Sequence, residues 1–106
     1  MGGKPRQKPK RMAEKLVRIR AALGLSQNEM IKRLGMEGRL KQNRISGYEL
    51  GTNEPSVITL LRYARAAGVN MEVLADDELD LPEILPGPTD HAEIKRTFAA
   101  RRKAKR

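Results

Sequence analysis

An all-α domain of five short, compactly packed helices is what this sequence predicts, and three observations predict it. Apolar residues recur at helical spacing in a series of short stretches. Capping residues open these stretches or glycines close them, with Gly24, Gly35, Gly51 and Gly68 as the stops. The core palette is aliphatic: the aromatics are Tyr48, Tyr63 and Phe98, and there is no Trp. With 106 residues, the chain has room for one domain and its tails.

Helix one runs from Met12 to Leu23, with Leu16, Ile19 and Leu23 as its apolar stripe. Gly24 suits the left-handed position after it. Ser26-Gln27-Asn28-Glu29 then forms a capping box, in which Ser26 accepts from the backbone and Glu29 reaches back. Helix two follows to Leu34, with Met30, Ile31 and Leu34 inward, and Gly35 ends it. Between Met36 and Lys41, Gly38 argues for a loop, while Leu40 argues for a segment pinned to the core or already helical. Helix three covers about Lys41 to Leu50 and stops at Gly51. Pro55 pushes Glu54 out of the helical region, so Thr52 to Pro55 is a turn. Ser56 caps helix four, Val57 to Ala67, whose Ile58, Leu61 and Ala64 or Arg65 are expected to face inward. Asn70 caps a fifth helix through about Ala75, with Val73 and Leu74 buried.

Charge divides the rest. The net charge of +9 is the sum of a basic block over residues 1–11, a mildly basic domain over 12–75, an acidic block over 76–89 and a basic block over 90–106. The first block, rich in Gly and Pro, reads as a disordered arm. The acidic block, with Pro82, Pro86 and Pro88, reads as a solvated linker. Residues 90–106 form a basic tail in which Asp90, Glu93, Ile94 and Phe98 could begin a short helix. Basic arms around a basic domain suit a polyanionic partner, most simply nucleic acid. The plainer alternative is that these charges only solubilise a small protein.

Several classes are disfavoured. Without Cys, disulfides and thiolate metal sites are excluded. His91 is the sole His, so no histidine cluster can hold a metal. No cofactor is implied, and no nucleophile or acid–base constellation suggests an enzyme. No apolar run approaches the roughly 20 residues of a membrane span, and no signal peptide opens the chain. The expectation is a soluble cytoplasmic protein without membrane contact.

Helix three raises its own question. An interior Gly costs a helix roughly 1 kcal/mol against Ala, yet Gly47 stands in the middle of "QNRISGYEL". A family resemblance supplies an answer. Gln27, Ile31 and Gly35 stand at the Gln-x-x-x-Ala-x-x-x-Gly positions of the Xre, or phage-repressor-like, helix-turn-helix family. "ISGYELG" resembles the end of that family's recognition helix, and "EPSVITLLRYARAAGVNMEVL" resembles its last two helices. The likeness covers residues 12–75. It departs in two places: Ile31 replaces a small residue, and the Gly35–Ile45 segment is longer than usual. A wider separation of helices two and three would give Ile31 room.

The resemblance implies that helix three lies in the major groove of double-stranded DNA with its N-terminal part against base edges. The base-reading candidates are then Gln42, Asn43, Arg44, Ser46 and Gly47. Gln and Asn can bond bidentately to adenine, and Gly47 would let the helix backbone approach closely. Gln27 and Asn28 at the start of helix two are phosphate-binding candidates, as are Thr52 and Asn53 in the loop after helix three. That loop lacks the Lys or Arg many relatives carry there. Arg20 and Glu49 are implied to form a structural ion pair. The implied function is a sequence-specific transcriptional regulator, such as a repressor, dimeric on DNA. Two alternatives stand beside it. One is an autoregulating antitoxin of a toxin–antitoxin pair, binding a protein partner through residues 76–106. The other is an RNA- or ribosome-associated adaptor whose basic arms do the binding.

Overall fold

The structure, a computed structural model, describes residues 8–87. Their helices are α1 (Met12–Leu23), α2 (Gln27–Arg33), α3 (Gln42–Leu50), α4 (Val57–Ala67) and α5 (Met71–Ala75). The all-α expectation holds, and the helix boundaries hold to within one residue, Leu34 and Lys41 being the cap of α2 and of α3 rather than helical. The Ser26 capping box forms in full, with Glu29 N donating to Ser26 Oγ and Ser26 N donating to Glu29 Oε1. Ser56 caps α4 by accepting from Thr59 N. Asn70 occupies the N-cap position of α5 without a side-chain capping bond.

The helices wrap one aliphatic core. Leu16, Ile19, Met30, Ile45, Tyr63 and Leu74 are fully buried, each apolar side chain contributing about 1.5–3 kcal/mol on leaving water. Ile31 fits among them, also buried. The Gly35–Lys41 connection is a loop of turns rather than an extension of α3. Arg39 N and Leu40 N both bond the Met36 carbonyl, and Met36 and Leu40 pack on the core. Arg62 of α4 crosses to donate to the Leu34 and Gly35 carbonyls at 3.0 and 3.1 Å, satisfying the end of α2.

Three expectations need correction: the register of helix four, the acidic segment and the inner end of the N-terminal arm. Helix four is rotated from the expected register. Its inner face is Leu60, Tyr63, Ala64 and Ala67, while Ile58 is exposed and Leu61 is at the margin. "VITLL" offers apolar residues to either register. The large Tyr63 and the following small alanines decide it by fitting under α1 and α5. The acidic segment is likewise no solvated linker up to Gly87. It leaves α5, passes the start of α1 and ends beside α4, where Gly87 N bonds the Ala67 carbonyl. Leu81 is buried in the core and Leu85 packs against it. Gly68 is left-handed and meets the Gly87 backbone so closely that a β-carbon there would collide with it.

Lys15 holds this strap. It is 2% exposed, and its ammonium donates to the carbonyls of Val73, Asp76 and Leu79 at 2.8, 2.9 and 2.7 Å. Three carbonyls converging on one ammonium replace its water shell, which is how a buried lysine is tolerated. At the N-terminal end, Lys10 and Arg11 belong to the ordered domain, since both backbone amides bond Asp77. The rest of the expected arm (residues 1–7) and the expected last helix from Asp90 lie outside the described residues.

Lys15→Met keeps the aliphatic stem and strands the three carbonyls. The expected loss is about 2–3 kcal/mol, from the usual cost of unsatisfied buried polar groups. Urea unfolding checks it; a loss below about 0.5 kcal/mol, the scale of an ordinary surface substitution, would show that the strap does not depend on this lysine.

Candidate nucleic-acid interface

The site begins with a partly buried ion pair. Arg20, in the last turn of α1, donates from Nε and Nη2 to the two carboxylate oxygens of Glu49 in α3, at 2.6 and 2.9 Å. Its Nη1 donates to the Leu25 carbonyl at 2.9 Å, which fixes the α1–α2 turn as well. Burial pushes the Glu49 carboxyl up, but the bonds from Arg20 and Gln27, with the charge of Arg20, outweigh it and hold the group below the ordinary range. Tyr63 feels the same charge. Its burial, with Glu49 nearby, raises the phenol far above its ordinary value and keeps it neutral.

From Glu49 the hydrogen bonds continue outward. Gln27 Nε2 donates to Glu49 Oε1 at 3.1 Å, and Gln42 Nε2 donates to Gln27 Oε1 at 3.2 Å. A chain of polar contacts thus leads from α1 to the first residue of α3, which is exposed. Gln27, Gln42, Asn43, Ser46, Gly47, Thr52 and Asn53 line one open depression of about 420 Å³. Seven of the nine residues expected to read bases or hold phosphates are therefore neighbours. Arg44 and Asn28 are exposed but do not line it. Leu50 does line it and was not anticipated; it is 74% exposed. Its spacing from Gln42 and Ser46, two and one helical turns back, was the available signal.

Gly47 is buried, and the reason differs from the expected one. The space a β-carbon would need is filled by the Asn53 side chain. The loop after α3 folds back so that Thr52 N, Asn53 N and Thr52 Oγ1 all donate to the Gly47 carbonyl, at 3.0, 3.2 and 3.3 Å. The close approach is thus between α3 and its own following loop. The Thr52 hydroxyl is turned inward, and Asn53 is exposed over the glycine. Among the described residues no cluster of His, Asp or Glu is arranged to hold a metal ion, and no helix is long and apolar enough to cross a membrane.

Removing Arg20 strands a carboxylate that is 8% exposed. Arg20→Ala is expected to lower stability by about 2–3 kcal/mol, less than a fully buried pair because the arginine is partly hydrated. The double change with Glu49→Gln should recover part of that loss, whereas additive losses would show the two are not coupled. The pH dependence follows from the depressed carboxyl. Its stabilisation is complete above the unfolded value of roughly 4.3 and is lost as pH falls through the folded value. Acid melts of Glu49→Gln should therefore be flatter below about pH 5 than those of the parent.

A family model described as helix-turn-helix matches residues 16–74. The chain is 32% identical over 85 residues to proteins named Antitoxin HigA1 from two Mycobacterium tuberculosis strains, CDC 1551 / Oshkosh and ATCC 25618 / H37Rv. The alignment covers 80% of this chain and 52% of each relative, so the chain spans about half the length of the curated relatives it matches. No solved structure matches it significantly. With the match extending from α1 to α5 over more than half of its residues, the chain belongs to the Xre, or phage-repressor-like, helix-turn-helix family.

Proposed function

We propose that this protein is a sequence-specific double-stranded DNA-binding transcriptional regulator that reads its site with α3 in the major groove. The observation that carries the reading is the hydrogen-bonded run from Glu49 through Gln27 to Gln42. It aims two amide side chains from different helices at one open face. Gln42 and Asn43 are the amides suited to adenine, with Ser46 beside them and Leu50 suited to a thymine methyl. Arg44, outside the depression, suits a guanine edge or a phosphate at its rim. Gln27, Asn28 and Asn53 are the phosphate-facing groups, while the Thr52 hydroxyl is held on the Gly47 carbonyl. Gly47 serves the interface by seating Asn53.

A dimer on DNA accords with how such modules read two half-sites about one helical turn apart. Selection of bound duplexes from a random pool tests the reading. The expected result is a palindrome with half-sites about 10 base pairs apart. Failure to enrich any sequence would overturn it. Gln42→Ala should relax one position in each half-site by about 1–3 kcal/mol.

The relatives' name supports a second reading, an autoregulating antitoxin with a protein partner on residues 76–106. The strap presents exposed Ile84 and Leu79 among Glu78, Asp80 and Glu83, a surface suited to a basic protein. Co-purification of an adjacent gene's product, lost on Ile84→Lys, would favour it.

Gly47→Ala is expected to leave stability nearly unchanged, because the gain in helix propensity of about 1 kcal/mol offsets the displacement of an exposed Asn53. DNA affinity should fall. In an Asn53→Ala background the same change should have no further effect on affinity, whereas additive losses would restore direct approach of the bases to Gly47. Removing residues 1–7 and 95–106, which hold nine basic residues, should weaken specific and random duplexes by similar factors. It should also flatten log K against log salt by about 0.9 for each phosphate no longer neutralised; an unaltered slope would leave the tails no part in binding.

A further inference from the structure

The loop after α3, Gly51 to Pro55, has no basic residue, and its Thr52 and Asn53 amides are turned onto the Gly47 carbonyl. Cations nevertheless stand beside it. Lys8, Pro9 and Lys10 form one side of a groove of about 320 Å³, with Gly51, Asn53, Glu54 and Pro55 opposite. Both lysines are exposed. The backbone at Lys10 and Arg11 is held from the acidic strap. Asp77 accepts the Lys10 amide on Oδ2 and the Arg11 amide on Oδ1, both at 2.9 Å. Arg11 closes the clamp, donating to the Asp77 carbonyl at 2.7 Å and to Asp80 Oδ1 at 2.6 Å. These same amides keep the Asp77 carboxyl below its ordinary value, so the clamp is charged at neutral pH. Lys15 anchors the strap beneath it.

We propose that Asp77 is a positioning residue for DNA binding: by fixing the Lys10–Arg11 backbone it presents Lys8 and Lys10 to the DNA backbone beside the α3–α4 loop, supplying the cationic contact that the loop lacks. The proposal rests on the groove-reading role of α3. Its signature is a sign reversal. Removing a negative charge from a DNA-binding protein ordinarily strengthens binding; removing Asp77 weakens it.

Fluorescence anisotropy of the full chain with its selected duplex, at several salt concentrations, tests this. Lys8→Gln/Lys10→Gln should lower affinity about fivefold per phosphate contact at 0.15 M salt and flatten the salt slope by about 0.9 for each. Asp77→Ala should act in the same direction, and the triple variant should be no worse than the double. Asp77→Asn, which keeps one acceptor, should fall between Asp77→Ala and the parent. Glu83→Gln, which removes one strap charge without touching the clamp, should bind as well as the parent or slightly tighter. Thermal melts establish that each variant is folded; if Asp77→Ala is not, Asp77→Asn decides. An Asp77 variant that is folded and binds as tightly as Glu83→Gln overturns the proposal. So does a lysine double variant with an unaltered slope, since the lysines then serve only to neutralise the groove wall around Glu54. If Gln42→Ala still relaxes specificity in that case, the groove reading survives alone. If Gln42→Ala is silent as well, both fall together.

Discussion

The contact between Arg20 and Glu49 sets the rest of the domain. A carboxylate this shielded is unfavourable without partners, and the three bonds it accepts come from two other helices. The guanidinium fork fixes α1 against α3, its Nη1 fixes the turn into α2, and Gln27 fixes α2 itself. The angle between α2 and α3 is therefore held by directional polar contacts as well as by Met30, Ile31 and Ile45. That matters because the connection between these helices is long and loop-like. Packing alone leaves such a joint freedom to slide, whereas a bidentate pair and two amides tolerate little displacement. The exposed face inherits this precision, since Gln42 is the last member of the same chain of contacts.

Helix ends were readable in the sequence because local chemistry decides them. Ser26, Glu29 and Ser56 make their bonds within a single turn, and Gly24, Gly51 and Gly68 adopt the left-handed conformation that other residues avoid. The phase of α4 was not readable. Val57, Ile58, Leu60 and Leu61 leave more than one apolar stripe, and only the fit of Tyr63 against the other helices separates them. Lys15 defied its residue type in the same way. A lysine is read as solvated until three carbonyls from a distant segment are seen to surround it.

The nine candidate site residues divide along a similar line. Those on α3 follow from helical periodicity once the family's docking geometry is assumed. The bond between Gln27 and Gln42 joins residues 15 positions apart and has no local signature. The glycine in α3 was readable as a close approach, but its neighbour was not, because the loop that covers it folds back through its own backbone amides. The acidic run is the larger lesson. As composition it opposes a polyanion; in the structure its first carboxylates are engaged by backbone amides and Arg11 at the edge of the domain. Local pairing, rather than the sum of charges, determines what that segment does to the surrounding field.

The central claim is that the recognition face is posed by the polar chain that ends in Gln42, so the two glutamines act as one unit. A double-mutant cycle on specific DNA affinity, with Gln27→Ala, Gln42→Ala and the double variant at one salt concentration, tests it most directly. A coupling of about 0.5–3 kcal/mol is expected, the range of residues in one hydrogen-bond network, with Gln27→Ala losing part of its effect once Gln42 is gone and keeping the part due to its own phosphate contact. Losses that simply add would contradict it and would leave the two side chains as independent contacts that happen to touch.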